Sequence, residues 1–226
     1  MSATKPLLLH AHITGPNPIK IAIALEILKV PYEIKLWEFG EDPENGVKGA
    51  KFLKINENGR VPALEDPNTG VVSWESGAVM NYVRRRYDVE GTLGPRGKDE
   101  QSIVDFEKWE YFLLSTLGPM TGQTNWFRHY HPSKNEDALS RYEEQTYRCY
   151  GVLERQLEKT NGDSIIPGGI NAVDLHFFPW VKQYEFAGLR LDAYPHIYKW
   201  LKKMKGLEEV ESAYQRIGDA TKQKPK

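Results

Sequence analysis

Three short strings carry the side chains best suited to chemistry. The first, His12-Ile13-Thr14-Gly15-Pro16-Asn17-Pro18, is a breaker-rich turn that offers an imidazole, a hydroxyl and an amide. The second, Asn58-Gly59-Arg60-Val61-Pro62, sets a guanidinium beside an X–Pro bond, with Lys51 and Lys54 shortly before it. Arg60, Lys51, Lys54 and His12 are candidates to hold a carboxylate, Arg60 foremost. The third is Glu75-Ser76, directly before a predicted helix. Orphan N–H groups and the dipole at a helix start favour an anion, so Ser76 can receive a carboxylate. Glu75 can hold an ammonium beside it, and an α-amino-acid head carries those two charges side by side. An N-cap with a dipole-friendly acid is the competing reading, and the two are compatible.

Other reactive residue types point elsewhere. Cys149 is the one cysteine, so no intrachain disulfide and no multi-cysteine metal site can form. Its setting, Tyr147 to Leu153, reads as mid-helix and makes it a buried small hydrophobe. His129 and His131 have no third ligand in view and read as a surface loop, so no metal is expected.

The elements that must position these strings follow from period and punctuation. Lys5 to His10 reads as a buried strand. Pro18 suits a first helical position with Asn17 as N-cap, and Ile19 to Lys29 follows as a helix with Ile21, Ala24, Leu25 and Leu28 on one face. Tyr32 to Leu36 alternates as a strand, which completes a βαβ unit. A short helix near Gly49–Leu53 comes next. Val61 to Leu64 and Val71 to Ser73 flank Asp66-Pro67-Asn68-Thr69-Gly70 as a hairpin, and Glu75 to Tyr87 reads as a helix. The first part is thus a small four-stranded mixed sheet with helices on it. Residues 89–97, rich in glycine, link residues 1–88 to an all-helical part, 98–226. Helices are expected at 99–117, 135–159, 173–187, 193–205 and 207–217, followed by a polar tail, Thr221–Lys226, expected to fray. Asn171-Ala172-Val173-Asp174 has the logic of a capping box and reads as structural.

Charge excludes some classes of function. Lys plus Arg is 30 and Asp plus Glu 31, and neither part is basic, with 11 against 11 in residues 1–88 and 19 against 20 after them. A phosphate-tracking surface, and with it nucleic-acid binding, is not indicated. The start, MSATKPLLLHAH, lacks a secretory pattern. The longest uncharged run, Tyr111 to Phe127, is too short and polar for a bilayer, which needs about 20 mainly apolar residues. A soluble, cytoplasmic protein with no membrane association is expected.

The strings Pro16-Asn17-x-x-Lys20, Asn58 to Leu64, Trp74 to Ala78, Pro119-Met120-x-Gly122-Gln123 with Phe127-Arg128, and Asn171-x-x-Asp174 continuing into Leu175-x-Phe177-x-Pro179-Trp180 occur in a telling order. Together, over residues 7 to about 217, they resemble the cytosolic glutathione transferases, in the branch that includes the fungal nitrogen-catabolite regulator and the bacterial nu-class transferases. The resemblance implies an α/β thioredoxin-like first domain (βαβ-ββα), an all-α second domain, a homodimer, and glutathione as co-substrate with no further cofactor. It implies a cis peptide at Val61-Pro62, with the Val61 N–H and C=O pairing with glutathione as with a sheet edge. Glu75-Ser76 then takes the γ-glutamyl end and the basic candidates the glycyl carboxylate. Asn17 is the residue assigned to the thiol, with Thr14 a second donor; a cap without a catalytic role is the alternative for Asn17. Nu-class members carry threonine immediately before Pro-Asn, whereas this chain has Gly15, and the turn holds no cysteine for omega-class or glutaredoxin-like chemistry.

The expected activity is glutathione transfer to a small hydrophobic electrophile, in detoxification or in a dedicated pathway. Tyr111, Met120, Gln123, Trp126, Phe127 and Trp180 are the candidate electrophile pocket, with helix packing as the equal alternative. The competing functions are glutathione-dependent disulfide or peroxide reduction on the same scaffold, and glutathione binding by a non-enzymatic regulator.

Overall fold

The computed structural model describes residues 4–223; the end of the expected frayed tail, from residue 224 on, lies outside them. β1 (Leu7–Ala11) pairs in parallel with β2 (Tyr32–Leu36), with α1 (Pro16–Ile27) between them. β3 (Ala63–Asp66) and β4 (Val71–Trp74) form the expected hairpin, and β3 runs antiparallel to β1. The sheet order is β2-β1-β3-β4. The short α2 (Ala50–Leu53) and then α3 (Ser76–Tyr87) complete the βαβ-ββα layout. The hairpin turn closes where the Gly70 N–H donates to the Asp66 carbonyl at 2.8 Å. The Asp66 carboxylate ties the same turn to α3 through the hydroxyls of Tyr82 and Tyr87, each at 2.5 Å.

The chain divides into two units, one made of the residues up to Thr92 and those from Leu207 on, the other of Leu93–Gly206. The division falls inside the expected linker, whose second half is packed into the helical unit. Leu93 is buried, its carbonyl accepts from the Ala172 N–H, and Arg96 donates to the Ile170 carbonyl. The last helix, α9 (Glu208–Asp219), which the sequence grouped with the helical part, clusters with the sheet unit. There Ser212 and Arg216 both engage the Glu26 carboxylate at the end of α1, and Arg216 lies over the Tyr32 ring.

α9 also changes the reading of α1. A helix with one apolar face was expected; instead every residue from Pro18 to Leu25 is buried. With β1 and α3 on other sides and α9 covering the remainder, α1 has no solvent face. Its start differs too. The N-cap is Gly15, in extended conformation, and Pro16, Asn17 and Pro18 form the first turn. Both prolines fit there because first-turn N–H groups have no intrahelical acceptor. Asn17 is therefore the second helical residue and not the cap.

In the helical unit, α4 (Glu100–Phe112) starts on the cap Asp99, whose carboxylate accepts from the Ser102 N–H at 3.0 Å. The sequence ended this helix at Leu117. The helical path instead continues through a π-helical turn, Leu113–Leu117, then α5 (Gly118–Asn125), then a second π-helical turn, Trp126–Tyr130. The wider turn lets the Gly118 N–H reach the Leu113 carbonyl and puts Pro119 in the first turn of α5, where its missing N–H is tolerated.

α6 (Glu136–Glu158), α7 (Ala172–Val181) and α8 (Pro195–Lys205) close the unit; α7 stops short of the expected 187. The capping box forms at Asn171, and the buried Asp174 also accepts from the Ile165 N–H and the Trp200 indole N–H. Cys149 is buried as expected, and burial pushes its thiol up. Among the described residues no helix is long and apolar enough to cross a membrane.

Candidate functional site

The register of the sheet unit explains why distant strings meet. His10 pairs with Ala63, and Ala63 with Trp74. The exit of β1, the entry of β3 and the exit of β4 are therefore neighbours at one end of the sheet. The residues just beyond them are the β1–α1 turn, the cis Val61-Pro62 bond and the Glu75-Ser76 start of α3. Backbone hydrogen-bonding groups thus converge there from three separate segments of chain.

In the turn, Gly15 closes onto the His12 carbonyl at 3.0 Å. The Thr14 N–H lies 3.2 Å and its hydroxyl 3.1 Å from His12 Nδ1. An amide N–H only donates, which assigns Nδ1 as the unprotonated nitrogen, so the Thr14 hydroxyl donates to the same atom. The His12 ring also stacks on Phe39 at 3.8 Å between centroids. His12 and Thr14 are thus engaged with each other, while Asn17, half-buried, stands at the positive end of α1.

The loop before the cis bond is held by Asn56, a buried residue the sequence reading passed over. Its side chain donates to the Arg60 carbonyl at 2.6 Å and accepts from the Asn58 N–H at 2.9 Å. Gly59 is required: its φ is +62°, and a Cβ there would sit 2.8 Å from the Val47 carbonyl oxygen. This leaves Arg60 exposed next to Val61, which lies just outside the β1–β3 ladder. Lys54 is exposed; Lys51 is paired with Glu44 at 2.8 Å on the preceding loop.

At the third string, Glu75 occupies the N-cap position of α3 with φ +68°, a left-handed backbone unusual for a residue with a Cβ. Its side chain is exposed and caps nothing, while Ser76 is buried at 3% exposure. Behind Ser76 lies Lys20, fully buried in α1, with Nζ 3.5 Å from Ser76 Oγ. Burial lowers its pKa to about 7, and the Glu75 charge opposes that shift. Lys20 appeared in the sequence only as part of a string. The available signal was a lone charge inside an Ile/Ala-rich run, which a helix buried on all sides must take inside.

The pocket candidates of the helical unit separate into two groups. Tyr111 and Trp126 are 61% and 47% exposed, Gln123 is exposed, and Met120 is half-buried. Phe127 stacks on Tyr142 and His131 and belongs to packing. Trp180 lies against the glycines of α5, where a Cβ on Gly118 would come within 3.3 Å of its ring. His129 and His131 bond the backbone carbonyls of Phe186 and Ser133. No group among the described residues has the makeup of a metal site.

Comparison with known proteins adds an independent observation. The sequence profile described as "Glutathione S-transferase, N-terminal domain" matches residues 5–85, and "Glutathione S-transferase, C-terminal domain" matches 117–208. The chain is 34% identical to the glutathione S-transferase-like protein tpcF of Aspergillus fumigatus, over 92% of this chain and 94% of that one. It is 29% identical to the protein URE2 of Candida albicans, over 93% of this chain and 70% of URE2. Its fold is similar to the crystal structure of the glutathione transferase URE2P6 from Phanerochaete chrysosporium in complex with oxidized glutathione. The TM-score is 0.86 and the identity 31%, covering 97% of this chain and all of that one.

Proposed function

The chain belongs to the glutathione S-transferase family, and from that premise we propose that it is an active transferase that binds glutathione at the sheet end and ionises its thiol. The observation that carries this reading is the convergence of the β1–α1 turn, Val61-Pro62 and Ser76 in one register. An extended tripeptide with an amino-acid head and a terminal carboxylate fits those groups. Val61 pairs with its backbone, Ser76 and Glu75 take the γ-glutamyl carboxylate and ammonium, and Arg60 takes the glycyl carboxylate. Lys51, held by Glu44, and His12, held by Thr14, are weaker claimants.

The thiol falls to Asn17, whose amide N–H₂ donates to sulfur. A free thiol has a pKa of about 8.5 and must be lowered to react at neutral pH. A donor to an anion contributes about 1.5–3 kcal/mol and a helix N-terminus about 0.3–1 kcal/mol. Together these lower a thiol pKa by about two units, which needs about 2.7 kcal/mol. The electrophile is taken by the exposed part of the Tyr111–Trp126 stretch, with Tyr111, Met120, Gln123 and Trp126 as its contacts.

A second reading, disulfide or peroxide reduction, is favoured by the oxidized glutathione bound to the Phanerochaete relative. A third reading, regulation, is favoured by the fold's similarity to the nitrogen regulation fragment of the yeast prion protein Ure2p. Turnover of a halonitroarene, a hydroperoxide and a glutathione mixed disulfide by the purified chain separates them. Conjugation supports the transferase, reduction alone supports the second reading, and glutathione binding without turnover supports the third. We also propose a homodimer through α3 and α4; light scattering that finds a 26.0 kDa particle refutes it.

A further inference from the structure

Among the described residues Lys20 is the one fully buried lysine, and it lies beneath the residue assigned to a carboxylate. Its Nζ donates to Ser76 Oγ at 3.5 Å, and neither residue is exposed beyond 3%. We propose that Lys20 is a third charged member of the γ-glutamyl subsite, the buried counter-charge for the carboxylate that Ser76 and the α3 N-terminus receive. The proposal rests on the reading that glutathione's γ-glutamyl end docks at Ser76.

The physical case starts from cost. An ammonium removed from water is held charged only where an anion compensates it. The elements packed against α1 bring charged groups of their own. From the start of α3, Glu75 favours the protonated form. From α9, Arg216 and Ser212 are turned to Glu26, six residues further along α1. From β1, His10 is engaged with Trp37 and Glu65, and from the turn after it His12 is engaged with Thr14. Glu75 is exposed, so its charge reaches Lys20 through partial solvent screening. With its pKa lowered to about 7, Lys20 is divided between its neutral and charged forms at neutral pH. A carboxylate arriving at Ser76 shifts that balance toward the ammonium, and the site takes up a proton as it takes up ligand.

Two consequences follow for binding. Above pH 7 affinity should weaken by up to about tenfold per pH unit, because a neutral Lys20 must first be protonated. A ligand with the same carboxylate but no thiol should show the same dependence, since the effect does not arise at sulfur.

The test is calorimetric titration of the whole chain with S-methylglutathione, which has no titratable thiol. It is run from pH 6.5 to 8.5 in two buffers of different ionisation heat. The wild-type chain is expected to take up close to one proton per site at pH 8 and to bind severalfold more weakly at pH 8.5 than at 7.5. Lys20→Met should abolish the uptake, flatten the pH dependence and weaken binding at pH 6.5 by about tenfold or more. Lys20→Arg, whose guanidinium does not titrate, should bind without proton uptake. Wild-type binding without proton uptake at pH 8 overturns the proposal with no variant needed. Unchanged affinity and uptake in Lys20→Met also overturns it, while leaving glutathione binding intact. Failure of the wild-type chain to bind S-methylglutathione at all removes the underlying reading and this one with it.

Discussion

Asn17→Ala deletes one amide donor from the β1–α1 turn and leaves the helix cap in place, because that cap is Gly15. The two effects that the sequence tied together, loss of a cap and loss of a thiol donor, are therefore separable. A hydrogen bond to a charged acceptor contributes about 1.5–3 kcal/mol, which raises the pKa of the bound thiol by about one to two units when lost. At pH 6.5 to 7 the thiolate fraction, and with it turnover, should fall about tenfold to a hundredfold. The deficit should narrow as pH rises toward 9, where the thiolate forms unaided. Affinity should change little, because the charged ends of glutathione are held by other residues.

The measurement is kcat against pH with a halonitroarene, together with the ultraviolet absorbance of the bound thiolate. Folding should be preserved, since alanine has a better helix propensity than asparagine by up to about 0.7 kcal/mol. Asn17→Asp adds a dipole-favoured acid at the second helical position but sets an acceptor against the sulfur, so it should fold well and be at least as inactive. Thr14→Val should leave the thiol pKa nearly unchanged, because the Thr14 hydroxyl donates to His12. An unchanged thiol pKa in Asn17→Ala refutes the assignment. A raised one in Thr14→Val moves it to Thr14.

Ser76→Ala should weaken glutathione binding by about 1–3 kcal/mol in calorimetry, and an unchanged affinity removes Ser76 from the site. Glu75→Gly should relieve the left-handed backbone at φ +68° while losing the ammonium's partner, so melting temperature should hold or rise as affinity falls. At Asp66, burial raises the carboxyl pKa, but the hydroxyls of Tyr82 and Tyr87 and the Asn68 amides outweigh it and hold it at about 2. A folded pKa below the ordinary 3.8 gives stability that is present above pH 3.8 and lost as pH falls through about 2. Acid unfolding of the Tyr82→Phe, Tyr87→Phe double variant should start at higher pH than wild type, by circular dichroism. Asp174→Ala should cost about 3 kcal/mol or more in urea unfolding, since three buried N–H donors lose their acceptor.

Local chemistry made much of this chain legible in advance. The βαβ unit, the hairpin around Asp66-Pro67-Asn68-Thr69-Gly70, α3 and the Asn171–Asp174 capping box all depend on neighbours within a few residues, and all formed. Breakers were over-read. Pro18 moved the expected start of α1 too late, and Gly118-Pro119 hid a helical path that runs on to Tyr130. A proline is tolerated in a first turn or beyond a π-helical turn, and its residue type does not say which of these it occupies.

The sequence by itself determined the strand and helix order, the turn chemistry, and the ordered strings that resemble the glutathione transferases. What it left to the tertiary structure is everything decided by contacts between distant segments. Lys20 meets Ser76 across 56 positions, and Ser212 meets Glu26 across 186. Those contacts make α1 a helix with no solvent side, bring α9 into the sheet unit and seal a lysine behind the candidate carboxylate site. Periodicity reports which side of a helix is apolar; burial depends on what else comes to cover it, and that is set only when the chain closes on itself.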